Sequence, residues 1–306
     1  MAKNITTRIG QALIVMFLVS LLTFIMINVA PGDPVAVMLE KKADPETVQR
    51  VREQLGLDRP YHEQFISFIK GAVTGDLGDS YFQKEPVTEI VGRGFMITVR
   101  LGLLALALSV CIGLVVGTLS ALFRGTWVDH TLMFIAMLGI SAPVFWLAVL
   151  MQLAFGLHLR WFPISGSEQP LWLVMPVICL GISYGASSAR LVRTNMIEVL
   201  SQDYVRTARS KGLSEFVVVG KHVLKNAGIS IITLVGMQLR SLISGAMVVE
   251  TVFSLRGLGS VSYTAIMARD IPLVQGCVLY VAIVYVLVNL VVDLMYGVLD
   301  PRIRLS

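Results

Sequence analysis

Charge is scarce in this chain. Asp, Glu, Lys and Arg supply 15% of its 306 residues, against roughly 25% in an ordinary soluble domain. Hydrophobic residues supply 55%, and the mean hydropathy is +0.76. That balance argues against a soluble globular protein. Cysteine is also scarce. Cys111, Cys179 and Cys277 are far apart and each lies in an apolar stretch, so they read as small buried hydrophobes rather than a disulfide framework or a thiolate metal site. No two of the four histidines stand at a ligand spacing such as i, i+4, and the methionines are scattered through apolar runs, where flexible packing explains them. A phosphate-binding Gly-x-x-x-x-Gly-Lys-Ser/Thr loop is missing: Gly220-Lys221 is followed by His222 and lacks the upstream glycine. The chain is therefore not expected to bind ATP, and no cofactor is expected within it. Repeats, low-complexity tracts and flexible linkers are missing too, which predicts a single membrane domain over 1–306.

What is present is apolar sequence in long continuous runs, at about 9–30, 98–123, 131–158, 172–189, 227–252 and 273–299. About 20 helical residues cross a hydrocarbon core. Continuous runs favour helices over the alternating strands of a barrel. The expected fold is all-α with six membrane spans. The first run follows Lys3 and Arg8 like a signal peptide. It is longer than a usual signal core, and its small-residue exit, Val29-Ala30, meets Pro31, so a retained span is expected.

Short-loop charges orient the chain. With the N-terminus inside, the inner pieces hold Lys3, Arg8, Arg124, Arg190, Arg193, Arg206, Arg209, Lys211, Lys221, Lys225, Arg302 and Arg304; the short outer loops hold Arg160, Arg256 and Arg269. The excess places both termini in the cytoplasm. The formal charge of +5 is explained by such loops without a nucleic-acid partner. The segment 31–97 is then extracytoplasmic. Asp44-Pro45-Glu46 reads as a helix start with Gly56 as its stop, and a second start follows at Asp58-Arg59-Pro60. Two amphipathic helices are expected to form a cap over the outer face, serving as packing, as a docking surface, or both.

The segment that carries mechanism is the inner loop 190–226. Thr194–Leu200 can form one short helix and residues 203–211 a second, with Gly212 as a left-handed C-cap. A rigid helix–turn–helix on the inner face can pass force from a soluble motor to the membrane helices. The run Arg206-Thr207-Ala208-Arg209-Ser210-Lys211-Gly212-Leu213 resembles the coupling motif of ABC importer permeases (Glu-Ala-Ala, three residues, then Gly), in the form found in the dipeptide, oligopeptide and nickel branch. His222-x-Leu224-x-Asn226-Ala227 also fits, although Ser230 stands where the branch often has proline. The likeness extends over nearly the whole chain: Pro31-Gly-Asp-Pro34, Leu55-Gly-Leu-Asp-Arg-Pro60-Tyr61, Gly75-Asp-Leu-Gly78 with Ser80, Arg269-Asp270-x-Pro272, Gln275-Gly276, Asn289-Leu-Val-Val-Asp293 and Asp300-Pro301-Arg302. Leu255-Arg256-Gly-Leu-Gly259 departs from the more usual Trp-Pro-Gly-Leu-Gly.

The resemblance implies a type I importer permease in a bacterial or archaeal cytoplasmic membrane. By that resemblance it would pair with a second, different permease chain, two ATPase subunits would carry ATP and Mg, and an extracytoplasmic binding protein would deliver the cargo. Asp203, Arg206, Thr207, Ala208, Arg209, Lys211, Gly212 and Leu213 would form the ATPase-coupling loop. The implied cargo is a short peptide, with nickel, another chelated metal or glutathione as alternatives.

Some residues stay open to other readings. Arg240 falls inside the fifth run, where a charge costs about 3 kcal/mol on insertion scales. It is a candidate for the pathway, with Gln238, Ser241 and Ser244, or for a structural pair with a carboxylate. Asp293 reads as a packing or interfacial residue. Gly181-Ile-Ser183-Tyr-Gly185 matches the nucleophile-elbow pattern, but it lies inside an apolar run, where small residues for close helix packing are the better account; Gly113-x-x-x-Gly117 has the same meaning. A stand-alone secondary transporter and an intramembrane enzyme are the rival functions.

Overall fold

A computed structural model describes residues 2–29, 35–36, 39, 44–166, 169 and 171–299, without the side chains of 2–9, 12, 227–232, 240–245 and 293–299. Its elements are α1 (Ala2–Val29), α2 (Pro45–Gln54), α3 (Tyr61–Thr74), α4 (Val87–Leu122), α5 (Trp127–Ser141), α6 (Val144–Met151), α7 (Val174–Leu200), α8 (Asp203–Ser210), α9 (Leu224–Val252), α10 (Leu258–Ala268) and α11 (Ile271–Leu299). Wider π turns extend α6 through Gln152–His158 and lead into α9 through Val218–Val223. Among the described residues there is no strand, only an isolated bridge between Asp79 and Pro86. Among the described residues each of the six apolar runs is mostly helical, and the all-α expectation holds. Among the described residues α4, α7 and α11 are individually long and apolar enough to span a membrane, and α5 with α6 is so as a pair.

The third run departs from expectation. In place of one span it makes two helices bent by 100°. Pro143 causes the break: it has no N–H to donate, and its ring pushes the preceding residue out of the helical region. Ala142 is accordingly extended, with φ −75° and ψ 126°. The helix expected at Thr194–Leu200 is not separate either. It is the last part of α7, which no glycine or proline interrupts after Gly185, and whose inward positions Ala189, Val192 and Met196 stay buried. α4 starts at Val87 rather than near 98. Glu89, Arg93 and Arg100 dilute the hydropathy there, while Val87, Ile90 and Val91 are buried. The short helix α10 was not expected at all.

The chain divides into two compact units, 1–97 with 256–287, and 98–255 with 288–306. In the first, both expected cap helices form. Asp44 occupies the N-cap position of α2, Gly56 has φ +66°, and Tyr61 opens α3 after Pro60. The Asp44 carboxyl is held below its ordinary pKa mainly by a hydrogen bond with Thr47. Phe65 of α3 packs on Phe17 and Phe24 of α1, with ring centroids 5.9 and 5.3 Å away, so α3 touches the side of α1 and not only its end. Val87, Ile90, Val91, Leu258, Ala265, Leu273, Val274 and Cys277 form the core.

In the second unit the buried stripe of α4 is Leu101, Ala105, Ser109, Gly113, Gly117 and Ser120, mostly i, i+4 and mostly small. It meets α7 at very short range. A Cβ on Gly117 would lie 2.7 Å from the Ala189 carbonyl oxygen, and one on Gly113 would strike Ser188. In return, Cβ atoms on Gly181 and Gly185 would lie 2.6 Å from Leu108 and 2.9 Å from Ile112. Cys111 sits on the other side of α4 and is exposed, contrary to expectation, because the i+4 rows place it with Val115 and Leu119; Cys179 and Cys277 are buried. We expect Gly117→Leu to cost about 1–3 kcal/mol by overpacking, read as lost thermal stability of the purified protein. Gly102→Ala, with nothing within 4 Å of its Cβ position, should be neutral or slightly stabilising.

Candidate functional site

An eight-residue helix is marginal on its own in water, so α8 must be held by packing. Val205 and Ala208, three apart on one face, are buried with Ala121, Val192, Met196, Val218, Val219 and Val223. Its remaining positions, Asp203, Tyr204, Arg206, Thr207, Arg209 and Ser210, are exposed, as are Lys211, Gly212 and Leu213. Ala208 is thus a buried contact, and the other seven expected coupling residues lie on the outside. The chain enters from α7 through Ser201 and an extended Gln202 and leaves through Gly212 at φ +76°, closed by a hydrogen bond from the Gly212 N–H to the Arg209 carbonyl at 2.9 Å.

Local polar contacts stiffen the loop. Arg209 forks onto Glu215, donating from Nη2 at 2.6 Å and Nε at 3.2 Å, and that hydrogen-bonded carboxylate raises its pKa. Arg206 pairs loosely with Asp203 at 3.6 Å. Asn226 donates to the Tyr204 hydroxyl at 3.0 Å and the His222 carbonyl at 2.8 Å. Phe216, just beyond, is 88% exposed. The result is a small amphipathic platform, anchored underneath and basic on top.

The pathway candidates separate. Gln238 is buried and spends its amide between helices: Ser109 donates to its Oε1 at 2.6 Å, and its Nε2 donates to the Tyr184 carbonyl at 3.2 Å and to the Ser188 hydroxyl. It is a tie from α9 to α4 and α7 within this chain. Arg240, Ser241 and Ser244 are on α9, but their side chains, and that of Asp293, lie outside the described residues. Ser183 is in the middle of α7, with its hydroxyl bonded to the Cys179 carbonyl at 3.0 Å, and no strand-to-helix turn presents it.

Three buried carboxylates escaped the sequence analysis. Glu250 is fully buried on α9, and Thr98 donates to it at 2.6 Å; a lone acid at the end of an apolar run was the available signal. Asp129 takes a two-pronged contact from Arg193, a residue otherwise read as a loop charge. Asp270 accepts from the Ser80 hydroxyl at 2.5 Å and from the N–H groups of Tyr81 and Phe82 at 3.1 and 3.3 Å. This joins two motifs that the sequence showed only as separate matches. Burial, reinforced by the Asp270 charge, pushes the Tyr81 hydroxyl up to about 12.

Two outcomes are expected. Gly212→Val should cost about 1–2 kcal/mol through the left-handed backbone alone, since nothing lies within 4 Å of a Cβ there; Gly212→Asn should recover most of it. Faster proteolysis of the 201–214 loop in the valine variant only would show this. Asp270→Ala strands a buried hydroxyl and the N–H groups of Tyr81, Phe82 and Leu273 and should lower unfolding stability by about 2–3 kcal/mol, measured by thermal melting.

Comparison with known proteins agrees with this architecture. Residues 113–305 match the family described as binding-protein-dependent transport system inner membrane component, and residues 1–102 match its N-terminal companion. A candidate peptide transport system permease protein of Brucella abortus (strain 2308) is 39% identical over 312 residues, covering 99% of both chains. The glutathione transport system permease protein GsiC of Escherichia coli (strain K12) is 38% identical over 304 residues, again covering 99% of both. In fold, the chain is similar to a chain of the inward-facing MetNI methionine ABC transporter, with TM-score 0.60 and 21% identity over 71% of this chain and 99% of that one. A multi-helix membrane chain with these relatives over its full length belongs to the binding-protein-dependent transport system inner membrane component family.

Proposed function

We propose that this chain forms half of the translocation pathway of an ATP-driven importer of short peptides. The observation that carries the proposal is α8: a helix anchored through Val205 and Ala208 that exposes Asp203, Arg206, Thr207, Arg209 and Lys211 and is ended by Gly212. Such a platform suits docking to a soluble ATPase subunit. Two ATPases hold ATP and Mg, a second permease chain completes the pathway, and a binding protein delivers cargo from outside. In this arrangement the segment 190–226 is cytoplasmic, both termini are cytoplasmic, and 31–97 is the extracytoplasmic cap of a single permease domain in a bacterial or archaeal cytoplasmic membrane. Closure of the ATPases displaces α8, and because α8 shares its core with α7 and the start of α9, those helices follow as a body.

The cargo assignment rests on the relatives, whose names specify peptide and glutathione transport; glutathione, itself a short peptide, is the second candidate. Arg240, with Ser241 and Ser244, is proposed to face the pathway and attract an acidic group of the cargo. Helical register puts position 240 about 200° around α9 from the buried Gln238. Gentle purification of the tagged chain from its native membrane should recover an ATPase and a second permease, and vesicles of that complex with its binding protein should take up radiolabelled trialanine or glutathione only with ATP inside. A chain that purifies alone and transports without ATP would overturn the proposal in favour of a secondary transporter. Arg240→Gln with normal assembly and unchanged uptake would remove Arg240 from the pathway.

A further inference from the structure

The four-residue connection between α4 and α5 is tied to α7 by one carboxylate. Asp129 is 1% exposed and its oxygens accept four hydrogen bonds. Arg193 donates from Nε and Nη2, both at 2.7 Å; the Gly125 N–H donates at 2.9 Å; and the Ser120 hydroxyl donates as well. Those donors come from the end of α4, the turn and α7. Two of them, Ser120 and Gly125, explain Asp129 as a local device that caps the start of α5, where Gly125 has φ +77° and Thr126 is the N-cap residue. Arg193 is not needed for that. Its guanidinium reaches from the stretch of α7 between Val192 and Met196, both of which are in the core that holds α8. Ala121, next to Ser120, is in the same core. The ion pair therefore lies beside the α8 anchor and links it to the α4–α5 turn with a directional, two-pronged contact. Apolar packing in that core resists compression but slides more easily than a fork of this kind.

We propose that Asp129 and Arg193 are a positioning pair that passes displacement of α8 to the α4–α5 turn, so that α5 moves with α7 when the ATPases act. This rests on the reading of α8 as the ATPase contact.

The test uses the full complex purified from membranes, and follows amide hydrogen exchange without nucleotide and after arrest with ATP and vanadate. In the wild type, nucleotide should change exchange in 203–210 and in 123–130 together. Asp129→Asn can keep the local cap, its amide oxygen accepting from the Gly125 N–H and its NH2 donating to the Ser120 hydroxyl, but it loses the charged fork, and Arg193→Gln loses it from the other side. In both, 203–210 should still respond, while the response of 123–130 should fall about tenfold. The double variant should be no worse than either single one, as expected of a pair. Arg193→Lys, which keeps the charge without the fork, should give a smaller loss in a complex that folds normally. A response of 123–130 that persists in Asp129→Asn and Arg193→Gln would overturn the proposal and leave the pair as a local cap. Failure of the wild-type chain to bring down an ATPase, or of 203–210 to respond to nucleotide, would instead refute the α8 reading itself.

Discussion

The contact between α4 and α7 governs how the second unit is built. Inside a bilayer, apolar side chains gain little by leaving lipid for one another, so helices associate through close fit and polar ties. Here the fit comes from glycines used in both directions: Gly113 and Gly117 of α4 receive Ser188, Ala189 and Val192, and Gly181 and Gly185 of α7 receive Leu108 and Ile112. The near approach puts Ser109 and Ser188 within reach of Gln238 on α9, and a third helix is fixed by a side chain whose polar atoms are satisfied. The same closeness carries α7 past its apolar run with Val192 and Met196 still facing inward, and that extension creates the floor on which α8 rests.

Buried carboxylates do a different kind of work at the ends of the helices. Asp129 collects donors from a turn and from a helix distant in sequence, and Asp270 from a distant turn and from the start of the helix that follows it. Each is costly to bury alone and becomes tolerable only when its oxygens are filled with partners. Such sites are unforgiving of displacement, which makes them effective clamps at the points where chain direction changes. Glu250, with Thr98, adds one within the second unit. The apolar cores set which helices neighbour one another, and these carboxylates set their register.

For the segment 203–213, the chain was legible at the level of local chemistry. Residues 203–211 were expected to form a short helix with Gly212 as its left-handed stop, and α8 with Gly212 has that form. The motif glycines within apolar runs were read as packing residues, and the packing is there. Less legible were features whose signal is a weak local preference overridden by a partner. The start of α4 is hidden by Glu89, Arg93 and Arg100, since hydropathy counts charge and cannot see that Val87, Ile90 and Val91 find a core. The expected break before Thr194 reflected a change in polarity along α7, not a change in backbone preference.

By itself the sequence determined the all-α class, the six apolar runs and the amphipathic segment 203–213, because these follow from composition, periodicity and short-range backbone preference; the family was legible through motifs that resemble those of its members. Only the tertiary structure decided that Gln238 answers Ser109, that Asp129 answers Arg193 and that Asp270 answers Ser80. Those outcomes depend on pairs separated by 129, 64 and 190 positions. A carboxylate's sequence neighbours do not specify which distant donor will fill its oxygens; the folded geometry does.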